Sequence, residues 1–145
     1  MHPKIDEQVE SRLAESDIRY TRGRRQVVEA LAKAEGPRSA SDLHSDLDRD
    51  LPLSSLYRSL SVLTEADVLA PHHGNGRIVR YELAEWLVGH HHHTRCEICG
   101  SIDDIELSKE SETALVEMVS SATVARHFVA TGHSLEIVGR CRPCS

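Results

Sequence analysis

Apolar residues recur at helical spacing through the first part of the chain and then at alternate positions, a change of period that predicts helices followed by short strands. Ile5, Val9 and Leu13 stand four apart in a charged stretch and predict an amphipathic helix ending near Ser16. Thr21 is placed to cap a second helix carrying Val27, Val28 and Leu31 inward, with Gly36-Pro37 ending it. Ser39 with Asp42 three positions on has the form of a capping box and opens a third helix through Leu43 and Leu47. A fourth starts at Ser54 and aligns Leu56, Leu60 and Leu63 in one stripe, leaving Ser55, Arg58, Ser59 and Ser61 to other faces. Short helices joined by tight turns are the helix-turn-helix pattern. Residues 68–73 and 77–83 then read as strands around Gly74-Asn75-Gly76, a hairpin turn, and so complete a winged helix.

Composition changes after Ala84-Glu85-Trp86-Leu87-Val88-Gly89, where the chain becomes rich in His and Cys. We therefore expect a first domain over 1–84, a hinge over 85–89 and a second domain over 90–145. The second domain reads as a strand over 90–95, a turn at Cys96-Glu97-Ile98-Cys99-Gly100, a return over 101–107, a helix over 109–121 with Leu115, Met118 and Val119 on one side, and a last strand over 134–140. The fold class is α+β: a winged helix-turn-helix followed by a small α/β domain.

The net charge of −6 over 145 residues argues against DNA binding only if it is evenly spread. It is not. Arg19, Arg22, Arg24, Arg25, Lys33 and Arg38 face only Glu29 and Glu35 in that stretch, which makes a phosphate-facing patch. One Trp, one Phe and three Tyr are too few to stack single strands, so duplex DNA is the better partner. No run approaches a membrane span and the start has no apolar signal core, so a cytoplasmic protein without membrane partners is expected.

Four cysteines in a reducing compartment read as a metal site. Cys96-x-x-Cys99 and Cys141-x-x-Cys144 are two knuckles whose thiolates complete the tetrahedral S4 set that zinc prefers, closed and hence structural. His90-His91-His92-His93 is the second signal. On an extended backbone His90 and His92 project to one side and His91 and His93 to the other, so one segment supplies two ligands to each of two ions. The remaining ligands are open at this point: His72, His73 and Glu82 before the hinge, and Asp103, Asp104, Glu106, Glu110, Glu112, His127 and His133 after it.

Taken together, Thr21-Arg22-Gly23-Arg24-Arg25, Ser39-Ala40-Ser41-Asp42-Leu43-His44, Leu56-Tyr57-Arg58-Ser59-Leu60, Tyr81-Glu82-Leu83, the histidine run, the first cysteine knuckle and His133-Ser134-Leu135-Glu136 resemble the ferric uptake regulator family over nearly the whole chain. The resemblance implies that the second domain is a dimerisation domain, and that the chain is a homodimeric, metal-dependent repressor of operator DNA, not an enzyme and without a small-molecule substrate. It implies a recognition helix over 54–65, with Tyr57, Arg58 and Ser55 facing DNA and Arg24 and Thr21 in the helix before it. It places a structural ion on Cys96, Cys99, Cys141 and Cys144, and a second ion on His90, His92, Glu112 and His133, with Glu110 as the alternative carboxylate. The hinge sensor falls on Glu82, His91, His93 and His73, or His72 in its place. Zinc-sensing members carry an Asp and a Cys where this chain has Ala70 and Ala84, so the full sensor set stays open.

Iron-type members carry a histidine just before the third helix, where Gly36-Pro37-Arg38-Ser39 stands here, and this likeness points to zinc: two or three ions per subunit, with iron or manganese as alternatives at the sensor. The expected function is a zinc-responsive repressor of metal uptake genes acting on palindromic operators. The alternatives are an iron-, manganese- or peroxide-responsive relative and, more remotely, a zinc-ribbon buffering or interaction protein. A zinc hydrolase is disfavoured, because no H-E-x-x-H pattern is present and a full ligand shell leaves no position for water.

Overall fold

A computed structural model describes residues 3–74 and 76–145, and the chain divides into two units, the first ending at His90 and the second running from His91 to Ser145. In the first, α1 (Pro3–Glu15), α2 (Arg22–Lys33), β1 (Arg38–Ser39), α3 (Ala40–Asp46) and α4 (Leu53–Glu65) lead into β2 (Leu69–His73), β3 (Val79–Leu83) and a single turn of helix, α5 (Glu85–Val88). Local chemistry sets the helix starts. Thr21 Oγ1 accepts the Arg24 amide at 3.3 Å, and Ser39 and Asp42 exchange reciprocal side-chain to backbone bonds of 3.1 Å each. α4 begins one residue before the expected Ser54, with Pro52 at its N-cap.

The strands form an antiparallel sheet in the order β1-β3-β2. β1 was not expected: two residues are too few to display a period, and they pair only because α3 brings Arg38 and Ser39 against Tyr81 and Arg80. The β2–β3 hairpin runs in register from Leu69 opposite Leu83 to His73 opposite Val79. Of the expected turn, Asn75 lies outside the described residues; Gly76 takes φ +95°, a backbone conformation that glycine adopts without strain.

The leucine stripe of α4 closes the core of this unit. Val9, Leu13, Val27, Val28, Leu43, Leu56, Leu60, Leu63 and Val68 are buried together. Truncating Leu60, 1% exposed, removes a full side chain from a close-packed interior, so Leu60→Ala is expected to destabilise this unit by roughly 2–5 kcal/mol, read as a lower urea midpoint. An ionic clasp holds α1 to α2: Arg25 reaches Asp6 at 2.6 Å and Glu10 at 2.9 Å and covers the Tyr20 ring at 4.1 Å.

In the second unit β4 (His92–Cys96) lies between β5 (Ile102–Ile105), antiparallel to it, and β6 (Glu136–Gly139), parallel to it. Between them α6 (Lys109–Val124) starts at Ser108, whose side chain accepts the Ser111 amide, and it runs three residues past the expected end. A 3-10 turn, Arg142–Cys144, follows. β4 begins two residues later than expected. Gly89, at φ +91°, turns the chain out of α5, and the first ladder pair is His92 with Ile105.

This unit has little interior. Cys96, Ile102 and His92 are buried, and no residue of α6 is fully buried within the chain. Met118, on one side of α6 with Leu115 and Val119, is exposed, as are Val116, Val124, Phe128, Ile137 and Val138. No described helix is long and apolar enough to cross a membrane.

Candidate metal centres and nucleic-acid face

The two cysteine knuckles meet. The Sγ atoms of Cys96, Cys99, Cys141 and Cys144 all lie within 4.8 Å of one another, with Cys99 and Cys141 at 3.7 Å, and none is in a disulfide. The backbone at the turns prepares them for charge. Amide donors, first that of Cys141, lower the Cys96 thiol to about 6, and a bond with Ser101 lowers Cys99. Cys144, hydrogen-bonded to Cys141 among the other sulfurs, is raised to about 12. Four sulfurs this close cannot all be anionic without a cation between them. A tetrahedral thiolate-binding ion such as zinc fits this donor set, and its binding displaces the remaining protons.

The histidine run divides as the pleat requires. His92 is 1% exposed, and its Nε2 lies 2.9 Å from Glu112 Oε2; His133 Nε2 lies 2.9 Å from Glu112 Oε1. The two rings stack with centroids 5.3 Å apart. Glu112, and not Glu110, is therefore the α6 carboxylate that meets these imidazoles. His90 stands two residues before His92 and contacts Glu85 through Nδ1.

On the other side of the strand His91 and His93 stand edge to face at 4.8 Å. The Nε2 of each lies 3.5 Å from Asp104 Oδ1. Asp104 was one of seven open possibilities after the hinge; what selects it is the β4–β5 register, which puts Asp104 opposite His93 and which no local pattern reveals. Two imidazole nitrogens and a carboxylate form a partial shell for a divalent cation.

On the wing, Glu82 is paired across the hairpin with Ala70, so its face of β2 carries positions 70 and 72. His72 Nε2 lies 2.7 Å from Glu82 Oε1. His73, the other wing candidate, is sent by strand alternation to the opposite face from Glu82.

Four of the residues implied for DNA come together. Thr21 and Arg24 of the α2 start and Ser55 and Arg58 of α4 line one cleft of about 740 Å³ together with Arg19. Tyr57 on α4 is 54% exposed. The wider basic patch shrinks: Arg25 is engaged by Asp6 and Glu10, Lys33 by Glu29 and Arg38 by Asp46. Arg19, Arg24 and Arg58 remain as the cationic side chains of the cleft.

The model of the ferric uptake regulator family matches residues 15–137, a stretch that holds the winged helix, the histidine run and the first knuckle and ends before Cys141. The ferric uptake regulation protein of Campylobacter upsaliensis is 26% identical over 139 residues, covering 92% of this chain and 84% of its own length. Among solved structures, the Helicobacter pylori ferric uptake regulator, described as revealing three functional metal binding sites, aligns with a TM-score of 0.75 at 22% identity over 97% of this chain and 91% of its own. A zinc-bound manganese uptake regulator aligns with a TM-score of 0.67 at 25% identity over 92% of this chain and 98% of its own. With its helix-turn-helix core, hairpin, histidine strand and thiol tetrad in this order, and most of its length matched, this chain belongs to the ferric uptake regulator family.

Proposed function

We propose that this chain is a zinc-responsive transcriptional repressor that binds palindromic operator DNA as a homodimer and controls metal uptake genes. The observation that carries the reading is the split of one histidine segment between two carboxylates, Glu112 on one side and Asp104 on the other. In this reading the thiol tetrad holds a structural ion, and His90, His92, Glu112 and His133 hold a second. His91, His93 and Asp104 bind the sensed ion together with Glu82, which His72 orients. Residues 1–84 are the DNA-binding domain, 85–89 the hinge and 90–145 the dimerisation domain. Because Glu82 precedes the hinge and the other three ligands follow it, the ion binds best when the two domains hold one arrangement, and zinc enriches that arrangement.

The exposed apolar side chains of α6 and β6 support the dimer. β6 is an edge strand of its sheet, and Ile137 and Val138 on it are exposed with Met118 and Val116 of α6, a surface that a second copy would bury. Arg24 and Arg58 are assigned to phosphate and base contacts. Each Arg→Ala change is expected to weaken DNA binding and, where a phosphate contact is lost, to flatten the slope of log affinity against log salt by about 1, read by binding isotherms over a salt series.

A second reading is a manganese or iron sensor. Two carboxylates among the four sensor donors suit those ions better than an all-imidazole set does, and the relative from Campylobacter upsaliensis is named for iron. Metal-stripped protein returned to buffered zinc, manganese or anaerobic Fe(II) separates them by mobility shift on its own promoter DNA. Restoration by zinc at the lowest free concentration is expected. If zinc fills the tetrad alone while iron or manganese restores the shift, the zinc assignment is wrong.

A further inference from the structure

Across the second sheet the strands place three side chains in a row. His93 is paired with Asp104 of β5 on one flank and with Glu136 of β6 on the other. Paired residues project to the same face of a sheet, so this imidazole stands between two carboxylates. Of these two, Asp104 turns toward the histidines. Glu136 is drawn along the sheet to Arg95, two residues further on β4 and on the same face, whose Nε donates to Glu136 Oε1 at 2.8 Å.

Arg95 is an unusual occupant of that position. Its side chain is 14% exposed, against 42% for Glu136, and its Nη1 is buried without a hydrogen bond. A buried donor left unmade costs stability that an aliphatic side chain would not. The bond to Glu136 is what an aliphatic residue could not supply.

We infer that Arg95 is a specificity-determining residue of the imidazole site: it holds Glu136 away from His91, His93 and Asp104, so that an ion bound there finds one carboxylate from this sheet and not two. The inference rests on reading His91 and His93 as metal ligands. Its consequence is chemical. One more carboxylate would carry a tetrahedral nitrogen and oxygen set toward the five- or six-coordinate, oxygen-rich shells that manganese and iron accept and zinc needs less. Arg95 acts on the ion through Glu136.

Co²⁺ in the full chain is the probe, because tetrahedral Co²⁺ absorbs visible light much more strongly than five- or six-coordinate Co²⁺. Other sites also take the ion, so each spectrum is read as the difference from the same protein carrying His93→Ala. The native difference spectrum is expected to be intense. In Arg95→Leu it should weaken several-fold, while affinity for Mn²⁺ rises relative to Zn²⁺ by about tenfold, the lower end of what groups just outside a metal's ligands contribute. Arg95→Gln, which keeps a polar side chain there, should do the same if the leucine variant does not fold.

Adding Glu136→Gln to either variant should restore both readouts, an effect that general loosening of the sheet would not produce. The inference is overturned if the native spectrum is already weak, if the Arg95 variants keep the native spectrum and metal ratio, or if Glu136→Gln does not restore them; the metal site itself survives those results. If His93→Ala removes no Co²⁺ absorption, the imidazole site falls and the inference with it.

Discussion

Cys96→Ser is expected to unfold the second unit while leaving the first intact. That unit buries only Cys96, Ile102 and His92, and its one long helix has no fully buried residue within the chain, so apolar burial within one subunit cannot hold it. The thiol tetrad supplies the missing constraint, because it fastens the chain's last turn to the end of β4; the Cys141 amide donates to Cys96 Sγ at 3.4 Å. A structural zinc ion contributes roughly 10–16 kcal/mol in small zinc modules at neutral pH, as much as the whole stability of an ordinary domain, about 5–15 kcal/mol. Zinc content should fall by more than one equivalent per subunit, because the histidine sites lie on the same unit as the tetrad, and the second unit's unfolding transition should vanish from the thermogram. The first unit's core contains none of these residues, and its transition should remain. Unchanged zinc content, or a second unit that still melts at its native temperature, would contradict the assignment.

Asp104→Ala is expected to separate metal loading from DNA binding. Asp104 Oδ1 reaches both His91 and His93, and its loss leaves the second unit's part of the sensor with imidazoles alone. If the DNA-competent arrangement without metal is about 1% of molecules, losing the sensed ion lowers apparent DNA affinity about 100-fold. The thiol tetrad and the Glu112 cluster lie on other side chains, so their ions should remain. Fluorescence anisotropy on operator DNA, paired with metal analysis of the same sample, gives both numbers. A variant that stays fully zinc-responsive would remove Asp104 from the ligand set.

The winged helix was legible because its determinants are local. Thr21 and Ser39 cap the helices that follow them, and Leu56, Leu60 and Leu63 mark the buried face of α4 without knowledge of any partner. The alternation of the histidine run was legible for the same reason, since it needs only an extended backbone. What stayed hidden depends on pairing between distant segments. Asp104 over its neighbours, and Glu136 at all, follow from strand register. Parity against Ala70 puts His72, and not His73, on the face of Glu82. Arg25 belongs to the basic patch by sequence, but α1, a separate helix, brings Asp6 and Glu10 to it. The apolar side of α6 was legible as a side and no more, because periodicity reports an apolar face without saying whether the same chain buries it.

The central claim is that the ion held by His91 and His93, and not the structural one, governs DNA affinity. Zinc titration of metal-stripped protein, followed simultaneously by native mass spectrometry and operator-DNA anisotropy, tests it most directly. The account predicts that filling the thiol tetrad leaves DNA affinity low and that affinity climbs with the last ion bound per subunit, a step missing from His93→Ala. Full affinity with the tetrad alone occupied, or an identical climb in His93→Ala, would contradict it.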